Sequence, residues 1–148
     1  VPIRGLIPGV AVHFGDCCHP LPGERIVGIS TSGKGVIIHT IDCDTLETVS
    51  DAPERWLDVA WDAESAAAGV HAGRILALVA NEPGSLSAMT TVIAKNEGNI
   101  SNLKILNRSE GFFEFQVDIE VRDLKHLTQI LAALRNEAAI ASVKRVRG

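Results

Sequence analysis

No run in this 148-residue chain is apolar for long enough to cross a bilayer, which takes about 20 consecutive residues in a helix. The longest apolar stretches, such as Ile75–Ala80, fall far short of that. No basic-then-apolar leader opens the chain, so nothing points to export, and a cytoplasmic location without a membrane partner is expected. The chain starts at Val1 without an initiator Met and reads straight into structured-looking sequence, as an excised piece of something longer would. A broad basic stripe is also missing. Residues 1–71 hold four Lys/Arg against ten Asp/Glu, a balance of −6; residues 72–148 hold ten against eight, or +2, and together they make the overall −4. Binders of nucleic-acid phosphates usually show such a stripe. The nearest candidate, Lys144-Arg145-Val146-Arg147, reads as a solvated strand end. Cysteine is scarce too, with three residues and no Cys-x-x-Cys pair.

What is present suffices for a packed protein. With 46% hydrophobic and 22% charged residues, the chain can bury a core, and its length suits one ordinary domain or two small ones. The stretch from Asp62 to Gly69 is small and polar and reads as a linker, which sets the expected division: residues 1–62 as one domain, 63–72 as linker and 73–148 as the second domain. In the first, Val10–Phe14 alternates, and the β-branched runs Arg25–Ile29 and Val36–Ile41 flank a hairpin turn signal at Ser30–Gly35. Asp42–Ser50 predicts one helix with an acidic N-cap, and Trp56–Trp61 a closing strand. This is a small Cys-rich α+β unit with a marginal core.

The second domain is more regular. Arg74–Ala80 is a near-continuous apolar strand, as expected where both faces or a central position are buried. Leu86, Met89, Thr90, Ile93 and Ala94 follow at helical spacing, with Gly98 where a C-terminal cap glycine belongs. Ile100–Leu106 predicts a strand and Asn107–Gly111 a turn. Phe113 to Val121 then alternates apolar with polar residues, as a half-buried strand does. Asp123 caps a helix whose Leu124, Leu127, Leu131 and Leu134 share a face, and Ala141–Arg147 closes as a strand. The order is βαββαβ, a ferredoxin-like sheet, which specifies no function by itself.

Asn81-Glu82-Pro83-Gly84-Ser85-Leu86 and, further on, Glu97-Gly98-Asn99-Ile100 mark the two loops of that frame. With these signatures the second domain resembles an ACT domain, the ligand-binding regulatory module of many amino-acid-responsive enzymes. In the serine-sensing domain of phosphoglycerate dehydrogenase, the positions equivalent to Asn81 and Asn99 hold the ligand at a dimer interface. A His used there two positions before the first Asn is Val79 here, which suits an apolar ligand better than serine. The resemblance thus implies a homodimer through this domain and an amino-acid site at Asn81, Pro83, Gly84, Ser85, Leu86, Met89, Asn99 and Ile100.

The chemistry points the same way. A free amino acid needs acceptors for its ammonium and donors for its carboxylate, and an Asn amide supplies both. Gly84, lacking a Cβ, lets backbone amides at a helix start approach a carboxylate. The alternative is that Asn81 and Gly84 only make the turn and Asn99 sits beside a helix cap. Leu86, Met89 and Ile100 are the apolar wall candidates and favour valine, isoleucine or leucine, although Leu86 and Met89 also read as ordinary core.

The first domain holds the other constellation: Cys17-Cys18-His19-Pro20, then His39-x-x-Asp42-Cys43. Such soft ligands suit a structural zinc. Adjacent cysteines are poor for one tetrahedral ion, so buried reduced thiols and a catalytic Cys–His pair stay open. Gly15 to Gly23, with His39, Asp42 and Cys43, resembles the zinc-finger or ribosome-intersubunit domain that precedes the ACT domain in long RelA/SpoT-type (p)ppGpp synthetase/hydrolases. The two resemblances cover essentially the whole chain in that order. They imply Cys17, Cys18, His39 and Cys43 as the zinc or structural set, with the ribosome and tRNA as partners of the full-length protein.

Neither a His-Asp site for pyrophosphate hydrolysis nor a basic nucleotide-transfer site occurs in these residues, so the resemblance implies a regulatory, non-catalytic fragment of a stringent-response enzyme. A branched-chain amino acid would then favour alarmone hydrolysis. Two other readings come from different classes: a ligand-free dimerisation module, and RNA binding through Glu110–Val117, which faintly resembles the aromatic strand of RNA-recognition motifs.

Overall fold

The computed structural model describes residues 2–148 and divides the chain into two compact units, the first running to Gly69 and the second spanning Val70–Val146, with the last two residues grouped with the first. Both mix helix and sheet, so the chain is α+β.

The first unit contains strands β1 (Ile3–Arg4), β2 (Val12–Phe14), β3 (Ile26–Thr31), β4 (Gly35–Thr40), β5 (Trp56–Leu57) and β6 (Ala60–Trp61), and a short helix α1 (Ala63–Ala67). A four-stranded sheet runs β2-β4-β3-β5, with β2 parallel to β4 and the other pairs antiparallel, while β1 and β6 form a separate ribbon. Strand β3 is apolar on successive residues because both its faces are covered. Ile26 joins a cluster with Ile3, Val36, Ile38 and Val59, whereas Val27 and Ile29 pack with Leu46 and Val49.

Two local expectations change here. The segment after β4 forms not an α-helix with an acidic cap but a tighter 3₁₀ turn over Asp44–Val49; extended Cys43 precedes it, and no side chain caps it. Trp56–Trp61 is not one strand. Trp56 and Leu57 pair with β3, buried Val59 fills the core, and Ala60 and Trp61 pair with β1, so the two halves serve different sheets. The small, polar stretch after Trp61 holds α1, where the Ser65 hydroxyl donates to the Asp62 carboxylate at 2.9 Å.

The second unit runs β7 (His71–Ala80), α2 (Ser85–Lys95), β8 (Asn99–Arg108), β9 (Phe112–Val121), α3 (Leu124–Arg135) and β10 (Ile140–Val146), with the antiparallel sheet order β10-β7-β9-β8. Ile75, Ala77, Val79, Val117 and Ile119 point to the buried side, together with Leu127, Ile130 and Leu134 of α3. Central β7 is apolar from Ile75 to Ala80, yet only one of its faces is closed: Leu76 and Leu78 lie half-buried on the opposite, open face.

Helix α3 begins as its sequence requires. The Asp123 carboxylate accepts from the His126 amide at 2.7 Å, satisfying one of the free donors of the first turn. His126 itself is buried but fully used. Its Nδ1 accepts from the Arg122 amide at 3.0 Å, which leaves Nε2–H to donate to the Asn96 carbonyl at 2.7 Å. Asp123→Ala is expected to cost about 1 kcal/mol, read as a lower urea midpoint at unchanged slope. Unchanged stability would mean that the cap is replaced by water.

Helix α2 ends differently from the expected glycine cap. The left-handed residue is Glu97 (φ 64°), and Gly98 follows it. The Glu97 amide donates to Ala94 at 3.0 Å and the Gly98 amide to Ile93 at 2.9 Å, the paired bonds of a Schellman motif. Gly98 serves another need. A Cβ there would lie 2.8 Å from Ile130 and 2.9 Å from both Ile119 and Ile93, so only hydrogen fits beneath the core.

Candidate functional site

Two places gather chemistry-bearing side chains, one in each unit. In the first, β4 delivers His39, the following turn delivers Cys43, and the loop after β2 delivers Cys17 and Cys18. Neighbouring residues seldom aim at one point, but here the backbone coils. The His19 amide donates to Gly15 at 2.9 Å, His19 takes φ 47°, and the sulfurs of Cys17 and Cys18 come within 3.9 Å. Cys17 lies 3.3 Å and Cys18 3.8 Å from His39 Nδ1, and Cys43 Sγ lies 3.4 Å from Cys17 Sγ. All four ligand atoms fall within 4.8 Å of one another.

The four individual separations, 3.3 to 3.9 Å, lie close to the edges of a tetrahedral shell. Zn–S bonds of about 2.3 Å place sulfurs roughly 3.8 Å apart. The approach depends on Gly15, where a Cβ would stand 3.1 Å from His39 Nδ1 and 3.2 Å from Cys17 Sγ. The donor set, three thiols and an imidazole, suits zinc and could hold a metal ion. Burial pushes the Cys18 thiol up to about 12, against a hydrogen bond from the Thr40 backbone, and burial also lowers His39. For Cys43 burial acts upward, but hydrogen bonds from Thr45 and the neighbouring thiols outweigh it and leave the group below its ordinary value. A buried thiol at about 12 is the reverse of an activated nucleophile. The Thr40 amide, which donates to Cys18 Sγ at 3.5 Å, lies outside the motif, and Gly15 stands within it without its packing role being visible, since neither is a ligand type.

In the second unit the loop between β7 and α2 carries Asn81, Pro83 and Gly84. Gly84 takes φ 85° with open space where a Cβ would stand, and no side chain caps the helix behind it. Asn81 reaches sideways: its Nδ2 donates to the Ser109 carbonyl at 2.8 Å, and its amide donates to Gly111 at 2.9 Å, tying the loop to the β8–β9 turn. Asn99 opens β8, opposite Glu120, and its Nδ2 donates to that carboxylate at 2.5 Å. Ser85 is buried, Leu86 is 43% exposed beside Gly84, Ile100 is half-buried, and Met89 is wholly enclosed in the core.

The two asparagines do not meet within one chain. Ala80, before Asn81, registers with Phe112 at one end of β9, and Asn99 with Glu120 at the other. Eight strand residues at about 3.4 Å each separate those ends by roughly 27 Å. Strand β8 is one of the two edges of the sheet and is exposed along most of its length, including Leu103, Ile105 and Leu106.

Residues 1–62 match the family model of the RelA/SpoT RIS domain, and residues 68–145 that of the ACT domain. The GTP pyrophosphokinase rsh of Brucella ovis is 40% identical over 148 residues, covering 100% of this chain and 20% of that protein. The GTP pyrophosphokinase of Escherichia coli K12 is 34% identical over 141 residues, covering 92% of this chain and 18% of that one. The chain therefore spans about a fifth of the length of the curated relatives it matches. The crystal structure of the ACT domain from the GTP pyrophosphokinase of Chlorobium tepidum aligns at TM-score 0.46 and 25% identity, over 52% of this chain and 99% of that one. With a βαββαβ second unit and both domain matches in this order, the chain belongs to the ACT-domain family and represents the C-terminal regulatory region, RIS followed by ACT, of a RelA/SpoT-type protein.

Proposed function

We propose that this region regulates a (p)ppGpp synthetase/hydrolase by binding a branched-chain amino acid, valine or isoleucine, in its ACT domain. The observation that carries the reading is the placement of Asn81 and Asn99 at opposite ends of one sheet that has a free β8 edge. If two copies pair antiparallel through β8, Asn99 of one moves to the end of the sheet where Asn81 of the other is tied to the β8–β9 turn. One asparagine from each copy then faces a common space twice per dimer, beside the uncapped amides at the start of α2. Those amides suit the ligand carboxylate, the asparagine carbonyls its ammonium, and exposed Leu86 its aliphatic side chain. The exposed Leu103, Ile105 and Leu106 favour covering that edge.

Binding that favours one arrangement of the whole enzyme shifts the population toward it, here toward alarmone hydrolysis when amino acids are plentiful. The RIS domain would meet the ribosome and tRNA, and the four-ligand cluster would hold a structural zinc that keeps it folded.

Calorimetric titration of this chain with valine, against serine, tests the reading. Asn81→Ala and Asn99→Ala should each weaken valine by about tenfold or more, as loss of hydrogen bonds to charged groups does. Sedimentation should show a dimer. A folded dimer that takes up no branched-chain amino acid would leave a ligand-free dimerisation module. Unchanged hydrolase activity of the full enzyme at saturating valine would remove the proposed direction of control.

A further inference from the structure

The open face of the ACT-domain sheet treats its charges in two ways. At one position Arg74 and Asp118 neutralise each other through two hydrogen bonds of 2.7 and 3.1 Å. Further along the same face, a cavity of about 220 Å³ is lined by Leu76, Leu78, Glu114, Ser142, Val143 and Lys144. Among the described residues neither the Glu114 carboxylate nor the Lys144 ammonium has a hydrogen-bond or ion-pair partner. Glu114 is half-buried. A carboxylate without a partner beside leucine side chains is free to take a ligand cation.

Register places the parts. Leu78 lies between Glu114 on β9 and Ser142 on β10, and Leu76 lies between Gln116 and Lys144. Glu114 and Lys144 therefore stand on opposite flanks of an apolar floor made by Leu76 and Leu78. Two strand spacings of about 4.8 Å and one two-residue step set their backbones roughly 12 Å apart. Between their heads a small ligand finds an anion at one end, a cation at the other and leucine side chains beneath. The volume is below the about 300–1,000 Å³ of drug-sized sites and suits a single small metabolite. A groove in the first unit, lined by Trp56, Ile41, Arg25 and Asp58, is larger, but both of its charged residues are exposed, whereas Glu114 here is half-buried.

The geometry points to a second amino-acid site on this open face, one that takes a free aliphatic α-amino acid as its zwitterion: the α-ammonium on Glu114, the α-carboxylate on Lys144 and the Ser142 hydroxyl, and the side chain on Leu76 and Leu78. It is complete within one chain and does not involve β8, so it does not depend on the dimer-edge site proposed above.

The test is amide chemical-shift mapping of the 148-residue chain with L-leucine as probe, in the native protein, in Glu114→Gln, in Lys144→Gln and in the double variant Asn81→Ala/Asn99→Ala. Leucinamide, which lacks the carboxylate, and 4-methylpentanoate, which lacks the ammonium, serve as controls. Shifts at Leu76, Leu78, Glu114 and Lys144 should appear with leucine and persist in the asparagine double variant. They should weaken by about tenfold or more in either charge variant and with either control ligand. Both charge variants are near-isosteric or exposed, and an unchanged spectrum outside the cavity verifies their fold. Leucine shifts confined to the Asn81 loop and β8, or binding equally strong for leucinamide and 4-methylpentanoate, would overturn the site. So would the absence of any shift at these four residues. Absence of any β8 shift in the native protein, with these four residues still shifting, would count against the dimer-edge site and leave this one standing.

Discussion

If the cluster holds zinc as proposed, Cys18→Ser is expected to abolish its binding and to lower the melting transition of the first unit by roughly 12–24 °C, which corresponds to about 3 kcal/mol for a domain of this size. The size of the effect follows from how little else holds the unit together. Its apolar residues divide into two small clusters on either side of β3 and β4, and no disulfide links its chain, since all three cysteines are free thiols. Domains of about 60 residues bury only a modest fraction of their surface and are marginal without a staple. A structural zinc supplies apparent binding energy of about 10–16 kcal/mol, all of which counts toward folding when the unfolded chain has no site. Of the four candidate ligands, Cys18 has most to lose. Its sulfur is wholly buried, receives the Thr40 amide and lies beside His39, so a serine oxygen there would bind zinc poorly and be ill-matched to the cavity. Metal analysis should give close to one zinc per native chain and little in Cys18→Ser, and chelator should reproduce the loss of stability in the native protein. A native chain free of zinc, melting at the same temperature with and without chelator, would show the cluster to be buried reduced thiols.

The second large effect lies at the end of α2, where two adjacent substitutions should act in opposite directions. Gly98→Ala puts a methyl carbon under 3 Å from three isoleucine side chains of the core, and overpacking of this kind costs about 1–3 kcal/mol. The strain falls at the start of β8, so the position of Asn99 should shift as well. Glu97→Gly should stabilise by about 0.5–1 kcal/mol, because Glu97 holds a left-handed conformation that glycine adopts freely. It loses the Arg122–Glu97 ion pair, but both side chains are largely exposed, and such pairs contribute little. Denaturant midpoints of the two variants decide the matter. If Gly98→Ala is neutral, the three isoleucines have room to move aside. If Glu97→Gly is destabilising, the ion pair with Arg122 matters more than the backbone.

Several elements were legible in the sequence for reasons that are purely local. The alternation Phe113–Val121 sets one face of β9 toward the core, and Asp123 caps α3, because strand periodicity and first-turn hydrogen bonds involve only near neighbours. The Pro83–Gly84 turn and the βαββαβ order belong to the same class. The misreadings are equally specific. Trp56–Trp61 looks like one strand, yet it divides because each half pairs with a different, distant segment. Gly98 looks like a cap because glycine usually occupies that place, whereas its role is set by Ile119 and Ile130, far away in sequence. The candidate residues Asn81 and Asn99 were visible as motif letters, but nothing local reveals that one sheet holds them at opposite ends.

The sequence by itself determined the order of elements in the second unit, the family and the candidate donor residues, since these rest on periodicity, turn chemistry and residue identity. Only the tertiary structure decided which donors converge. Cys17, Cys18, His39 and Cys43 come together because Gly15 coils the loop against β4, and Glu114 and Lys144 flank one cavity because β7 separates their strands. Convergence of this kind depends on strand register and crossing segments. Those are set by long-range pairing and close packing, which the local pattern of a chain does not encode.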